Sequence, residues 1–232
     1  MVRKFLKFVF AFILFVIIGT HTHELGHLFV AELLGYKTTL HFASIDYDSS
    51  KLNNELDSIY IQNKIEIEAG KYFEEKELFE RKLEKLNYDS FLVTLGGPLQ
   101  TILTGFFGLL LISTRSKKIK KSGFSSIDWI SVFLSLFWLR EIYVLFHSFL
   151  YEMVFKEGNY FGGDERYISE YFGLHPSVVP IGLALIGFAV ATYILFYYIP
   201  KKYQSVFIMS GCLGGIVGIA VWYFLLGPIL LP

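Results

Sequence analysis

The hydrophobic residues of this chain are grouped in long, almost uninterrupted blocks, and polar stretches separate the blocks. A helix needs about 20 apolar residues to cross the hydrocarbon core of a bilayer. The blocks that approach or exceed this length are residues 5–34, 91–114, 127–149, 178–199 and 205–231. This pattern predicts an all-α polytopic membrane protein with about five transmembrane helices.

The longest polar stretch lies between the first two blocks, at residues 36–90. It predicts a small α+β extramembrane insertion. Residues 38–44 are expected to form a strand or a connecting hairpin, and residues 71–86 have the spacing of a charge-rich helix. Further strands are predicted from the alternation of Ile59, Ile61, Ile65 and Ile67.

The blocks divide the chain into a first transmembrane helix, a module and a core. The first helix takes residues 1–35 and the extramembrane module takes residues 36–90. The remaining transmembrane core takes residues 91–232, with a polar segment at residues 151–176.

Two features of the second block predict irregular structure. Gly96-Gly97-Pro98 is expected to break or kink the helix, because proline removes a backbone donor and crowds the preceding turn. In a membrane, such a site is expected to face protein or a water-filled cavity. The basic stretch at residues 115–121 is expected to be a solvated loop.

The third block contains two opposite charges, Arg140 and Glu141. Charged side chains inside a membrane pair with each other or with groups on neighbouring helices. We therefore expect a structural ion pair at this position.

Composition supports a multi-pass integral membrane protein whose environment is the lipid bilayer. The chain is 53% hydrophobic and 18% aromatic, with a mean hydropathy of +0.48. Its 21 basic residues are balanced by 21 acidic ones, which argues against a nucleic-acid partner. The single cysteine, Cys212, excludes an intramolecular disulfide and a cysteine-based metal cage.

The strongest chemical signal is His23-Glu24-Leu25-Gly26-His27, within the first apolar block. Residues four apart lie on one face of a helix, so His23 and His27 could hold one metal ion between their rings. Glu24 can then reach a water molecule at that metal. This H-E-x-x-H pattern is typical of zinc hydrolases, in which the glutamate acts as general base.

The position of the motif supports a functional interpretation. An ionisable residue in the middle of a transmembrane helix costs about 2.5 to 3.5 kcal/mol on insertion scales and usually serves a function. The alternative is a helix whose polar end lies outside the bilayer, with solvated histidines.

A catalytic zinc ion usually takes three protein ligands and leaves a fourth position for water. Two later motifs bear on the missing ligand: Gly96-Gly97-Pro98-Leu99-Gln100-Thr101, and Asp164 after Gly162-Gly163. Together with the histidine motif and in this order, they resemble the site-2 protease family of intramembrane zinc metalloproteases.

The resemblance implies Zn²⁺ bound by His23, His27 and Asp164, with Glu24 as the catalytic base. It also implies that the residues binding substrate include Gly97, Pro98 and Thr101. The chain departs from the family at Thr101, where asparagine is common, and at Glu165, where glycine usually follows the aspartate. From the residues alone, Asp164 could instead cap a helix, and the alternative ligands are Glu165, Glu152 and His175.

The function that the resemblance implies is intramembrane hydrolysis of peptide bonds in transmembrane or membrane-anchored proteins, as in regulated intramembrane proteolysis. A substrate helix must unwind locally, because its carbonyl groups are engaged in backbone hydrogen bonds. The alternative is a catalytically silent homologue that binds transmembrane segments as an adaptor or chaperone. A transporter would need more intramembrane ionisable groups than the chain has.

The orientation in the membrane stays open at this stage. Basic residues in the N-terminal tail, the 115–121 stretch and Lys201-Lys202 favour a cytoplasmic N-terminus. The family resemblance implies the opposite orientation, with the zinc site nearer the cytoplasm.

Overall fold

The computed structural model describes residues 2–156 and 160–232, and it is 82% helical. Its helices are α1 (Val2–Leu33), α2 (Ser50–Gln62), α3 (Lys64–Glu68), α4 (Lys76–Ser122), α5 (Ser126–Ser135), α6 (Leu139–Phe155), α7 (Asp164–Tyr171), α8 (Val178–Tyr193), α9 (Lys201–Val221) and α10 (Gly227–Leu230). A 3-10 turn, Leu136–Trp138, joins α5 to α6, and π-helical turns at Ile194–Tyr198 and Trp222–Leu226 extend α8 and α9. Residues 157–159 of the predicted polar segment lie outside the described residues.

Among the described residues, four helical segments are long and apolar enough to cross a membrane: Lys76–Ser122, Ser126–Phe155, Val178–Tyr198 and Lys201–Leu230. They fit the predicted all-α membrane protein. Helix α1, which carries the histidine motif, is not one of these four. A fifth span at α1 therefore stays a prediction.

The polar insertion contains less β structure than its sequence pattern suggests. Strands β1 (Thr38–Leu40) and β2 (Ile45–Tyr47) form the expected antiparallel hairpin, with Thr39 opposite Asp46. The strands predicted from the isoleucine alternation are wrong, because those residues lie on α2 and α3. Ile59 is buried on one helical face, whereas Ile61 and Ile65 are exposed, so burial follows a helical period here.

Helix α4 is 47 residues long and continuous. The helix does not break at Gly96-Gly97-Pro98, and a kink there stays a prediction. The predicted loop at 115–121 is wrong, because these residues form the last turns of the helix before Gly123. The helix also continues across residue 90, where the sequence suggested a boundary. Glycine at 96 serves packing, since a Cβ there would overlap the backbone oxygen of Gly26 in α1.

Helix α1 is held between α4 and α9. On the α9 side, Gly214 lies directly against the backbone of Val9, and Gly218 lies against Val16. Small residues on one helix let two backbones approach closely in an apolar environment. Beside this contact, aromatic rings form the core: Phe12 contacts Phe207 edge to face, with ring centroids 5.0 Å apart.

The short helix α7 is fixed against two long helices. The ring of Tyr171 stacks on Phe91 of α4, with centroids 3.8 Å apart. The backbone N–H of Val179 at the start of α8 donates to Oγ of Ser169, at 3.1 Å. These contacts bring the first residue of α7, Asp164, to the histidines of α1.

Candidate metal centre

Helix α1 places His23 and His27 on one face, one turn apart. Both side chains are buried, with residue exposures of 2% and 7%. Their Nε2 atoms face each other at 3.1 Å. The structure therefore brings the two predicted ligands of the motif together.

Asp164 completes a triangle with the two imidazoles. Its Oδ2 atom lies 3.0 Å from Nε2 of His23 and 3.4 Å from Nε2 of His27. Among the described residues, this is the group of three side chains whose ligand atoms are close enough to hold one metal ion.

The three distances match the geometry that a zinc ion requires. Neighbouring ligand atoms in a tetrahedral zinc site lie about 3.3 Å apart, because Zn–N and Zn–O bonds are about 2.0 to 2.2 Å long. The sides of the triangle, 3.0, 3.1 and 3.4 Å, fall around that value. Two imidazoles and a carboxylate are also a ligand set found in catalytic zinc sites.

Gly97 leaves the space in which such an ion would lie. A Cβ built on Gly97 would overlap Nε2 of His27 and would lie 2.5 Å from Nε2 of His23. Any side chain at this position would therefore fill the centre of the ligand group. The residues present fit a bound metal ion.

The outer nitrogen of His27 is fixed by the backbone of α4. Nδ1 lies 2.7 Å from the carbonyl oxygen of Val93, which can only accept, so Nδ1 carries the proton. The N–H of Gly97 lies farther from the same nitrogen, at 3.3 Å, and the shorter contact decides the tautomer. Nε2 of a neutral His27 is then free to bind a metal.

The outer nitrogen of His23 is fixed by a side chain. Nδ1 lies 3.0 Å from Oγ1 of Thr101, which is buried. The predicted substrate-binding residue Thr101 thus lies behind a ligand histidine, where it orients the ring. Pro98, also predicted to bind substrate, is fully buried within α4, and Gly97 faces the two Nε2 atoms.

Arg140 also contacts the ligand triangle. Its Nη2 atom lies 2.6 Å from Nε2 of His23 and 3.2 Å from Oδ2 of Asp164. A guanidinium can only donate, so Nε2 of His23 accepts, in agreement with a proton on Nδ1. The three ligand atoms are all acceptors, and the positive charge beside them in this structure comes from Arg140.

Two further buried carboxyl groups surround Arg140. Nη1 donates to Oε1 of Glu165 at 2.7 Å and lies 3.8 Å from Oε1 of Glu141. The expected pairing of Arg140 with Glu141 is therefore the weaker contact, and the main partners come from α7. Both carboxyl groups are buried, and Glu141 also hydrogen-bonds to Glu165.

The alternative third ligands lie outside the ligand group. The group of His23, His27 and Asp164 does not include Glu165, Glu152 or His175. Glu165 accepts from Arg140 instead, and His175 contacts Ser177 at 2.8 Å. The cap residue of α7 is Gly163, so Asp164 is not the helix cap that the residues alone allowed. Its Oδ2 atom faces the two histidines instead.

Glu24 lies beside the ligand group and opens onto a cavity. The cavity measures about 460 Å³ and is bounded by α1, α6, α9 and the turn after α8. Its lining is mainly apolar, and polar groups gather at one end, namely His23, Glu24, Thr101 and Arg140. The carboxylate of Glu24 therefore lies next to both the candidate metal position and the apolar cavity.

Sequence patterns did not reveal every component of the site. The carbonyl of Val93 carries no side-chain signal, and Gly97 was interpreted as part of a helix break or kink and as a substrate-binding residue rather than as a space for a metal ion. Arg140 was recognised as an intramembrane charge, but its partners Asp164 and Glu165 lie on another helix. Only the unusual cost of a buried arginine could have pointed to it.

Known proteins provide no further guide to this site. No protein-family model, no curated protein and no solved structure matches the chain.

Proposed function

We propose that this chain is an intramembrane zinc endopeptidase that resembles the site-2 protease family. The observation that carries the proposal is the triangle of His23, His27 and Asp164, with ligand atoms 3.0 to 3.4 Å apart, beside Glu24. Zinc-dependent peptide hydrolysis uses these components, namely three protein ligands and a general base.

We also assign α1 to the membrane as a fifth span of a multi-pass protein. Residues 8–18 are uninterrupted by polar side chains, and the helix packs closely on α9, which is itself long and apolar enough to span. The ligand group then lies below the membrane surface, where its substrates are transmembrane or membrane-anchored proteins.

In the proposed reaction, Glu24 takes a proton from the attacking water as the water oxygen adds to the peptide carbonyl carbon. Glu24 then passes the proton to the leaving amine as the C–N bond breaks. Bound zinc would lower the pKa of water and polarise the carbonyl group. Thr101 and the carbonyl of Val93 keep both imidazoles in the orientation that presents Nε2.

The cavity supports a peptide substrate with apolar side chains. Its volume of about 460 Å³ suits a few such side chains from a locally unwound segment. Substrates with helix-weakening residues near the cleaved bond are therefore expected to react faster.

The test compares two conservative substitutions on α1, Glu24→Gln and Glu32→Gln, in the purified full chain. Glu32 is exposed and serves as the matched control. We expect Glu24→Gln to keep zinc and to lose cleavage of a membrane-anchored model peptide by about 100-fold or more. Glu32→Gln should keep both. If wild type binds zinc and the peptide but never cleaves it, the chain is a binding protein rather than a peptidase.

A further inference from the structure

The contacts of Arg140 place a positive charge where the fourth ligand of a metal ion, a water molecule, would have to be. Nη2 lies 2.6 and 3.2 Å from two of the three ligand atoms, about the distance between neighbouring ligands of a tetrahedral site. A guanidinium has no lone pair for a metal. The guanidinium would therefore have to leave this position before a metal ion held by the three ligand atoms could bind water.

The same contacts explain how the ligand group stays assembled without a metal. Three acceptor atoms facing one another at 3.0 to 3.4 Å repel each other unless a donor or cation lies beside them. Nη2 donates to two of them, on α1 and on α7. The guanidinium thus links the helices that carry the ligands.

A second position for the guanidinium lies next to the first. Glu141 is buried beside Glu165, to which it hydrogen-bonds, and its Oε1 atom is already 3.8 Å from Nη1. Nη1 itself already donates to Oε1 of Glu165 at 2.7 Å. Buried carboxyl groups are costly without sufficient donors, so this pair can accept the guanidinium when it leaves His23 and Asp164.

We propose that Arg140 is an internal competitor of the metal ion, which holds His23 and Asp164 in the metal-free protein and moves to Glu141 and Glu165 when metal binds. The inference rests on the metal site of the proposed function, but not on peptide hydrolysis. It assigns Glu141 the role of acceptor for the displaced guanidinium.

The experiment measures the zinc dissociation constant of the purified full chain by competition with a chromophoric chelator. Arg140→Met combined with Glu165→Gln removes one positive and one negative charge, so the effect of net charge largely cancels. The matched control is Arg166→Met with Glu170→Gln, an ion pair of 2.7 Å on α7 outside the site. If the guanidinium occupies the ligands nine-tenths of the time, the first variant binds zinc about tenfold more tightly than wild type. The control variant binds as wild type does.

A second variant moves zinc affinity in the opposite direction and leaves Arg140 in place. Glu141→Gln keeps the shape of the side chain but removes the carboxyl group that we propose as acceptor for the displaced guanidinium. Zinc binding should then weaken by about three- to tenfold, because the contact between the guanidinium and Glu141, which forms only when metal is bound, is weakened. This variant carries the test if the double variant does not fold.

The outcomes separate this inference from the metal site itself. Tighter zinc binding by the Arg140 variant and weaker binding by Glu141→Gln support the proposal that Arg140 competes with the metal ion. Equal or weaker zinc binding by the Arg140 variant, or unchanged binding by Glu141→Gln, overturns it and leaves the metal site standing. If neither wild type nor any variant binds zinc, the metal site and the proposed function fail together.

Discussion

Two clusters in the described part of the chain are built around an arginine and an aspartate, and they differ in how completely their charges are paired. We call one the capping cluster, which comprises Arg115, Ser125 and Asp128. We call the other the metal-site cluster, which comprises His23, His27, Asp164, Arg140, Glu141 and Glu165.

The capping cluster satisfies its acceptors. Nε of Arg115 donates to Oδ1 of Asp128, and the backbone N–H and the hydroxyl of Ser125 donate to Oδ2 at 2.7 and 2.5 Å. One guanidinium meets one carboxylate at the start of α5. Such an arrangement stabilises a helix end and leaves nothing for a ligand to do.

The metal-site cluster has more acceptors than donors. One guanidinium faces the carboxyl groups of Asp164, Glu165 and Glu141 and also contacts the imidazole of His23. The buried carboxyl groups of Glu141 and Glu165 hydrogen-bond to each other and also share this guanidinium. The comparison teaches that incomplete pairing, rather than the presence of buried charge, distinguishes a candidate binding site from a structural contact.

The largest difference in zinc affinity is expected between alanine substitutions at Gly97 and at Gly19. Gly97→Ala places a Cβ against the Nε2 atoms of both histidines. Zinc affinity should therefore fall by about 100-fold or more, as it would if one ligand were lost. Gly19→Ala is the control, because nothing lies within 4 Å of a Cβ at that position. Equal zinc affinity of the two variants would contradict the proposed position of the metal.

The next prediction compares alanine substitutions of the two aspartates, one from each cluster. Asp164→Ala should abolish measurable zinc binding, because a ligand is lost. Asp128→Ala should instead lower the free energy of unfolding by about 1 to 2 kcal/mol, because a helix cap and an ion pair with the partly exposed Arg115 are lost. Zinc titration and denaturant unfolding check the two results. Zinc loss in Asp128→Ala would remove the distinction between the clusters.

A smaller loss of zinc affinity is expected when the contact between His23 and the Thr101 hydroxyl is removed. Thr101→Val removes the hydroxyl that fixes Nδ1 of His23, and zinc affinity should fall by about 10- to 100-fold. Thr104→Val, three residues along the same helix, serves as the control because its hydroxyl contacts Gln100 instead. A similar change in both variants would show that α4 itself is perturbed.

The smallest effect concerns two glycines that precede the two clusters with the same backbone conformation. Gly163 has φ 76° and ψ −176°, and Gly123 has φ 78° and ψ −176°, a region that is open almost only to glycine. Alanine at either position should cost about 1 to 3 kcal/mol of stability. Only Gly163→Ala should also weaken zinc binding, because it displaces Asp164. An identical zinc affinity of the two variants would argue against this.

The sequence predicted those parts of the site that lie close together along the chain. His23, Glu24 and His27 occupy two turns of one helix, so their spacing alone defines their shared face. The approach of Asp164 could not be derived in this way, because it lies 141 residues from His23 and depends on the stacking of Tyr171 on Phe91. Its assignment came from the family resemblance.

The predictions that were wrong share a physical cause, namely that local signals were outweighed by packing. Gly96-Gly97-Pro98 was expected to break or kink α4, but the helix is unbroken there and its glycines pack against α1 and its histidines. The alternating isoleucines were expected to form strands, but Ile59 packs as part of a helix whose residue Glu55 pairs with Lys82 of α4.

The central claim is that His23, His27 and Asp164 bind one zinc ion, and X-ray absorption spectroscopy of the zinc-loaded full chain tests it most directly. The account predicts nitrogen and oxygen ligands at about 2.0 to 2.2 Å, with the outer scattering of two imidazole rings and with loss of zinc in Asp164→Ala. A spectrum with a single imidazole, or zinc that remains bound when Asp164 is replaced, would contradict it.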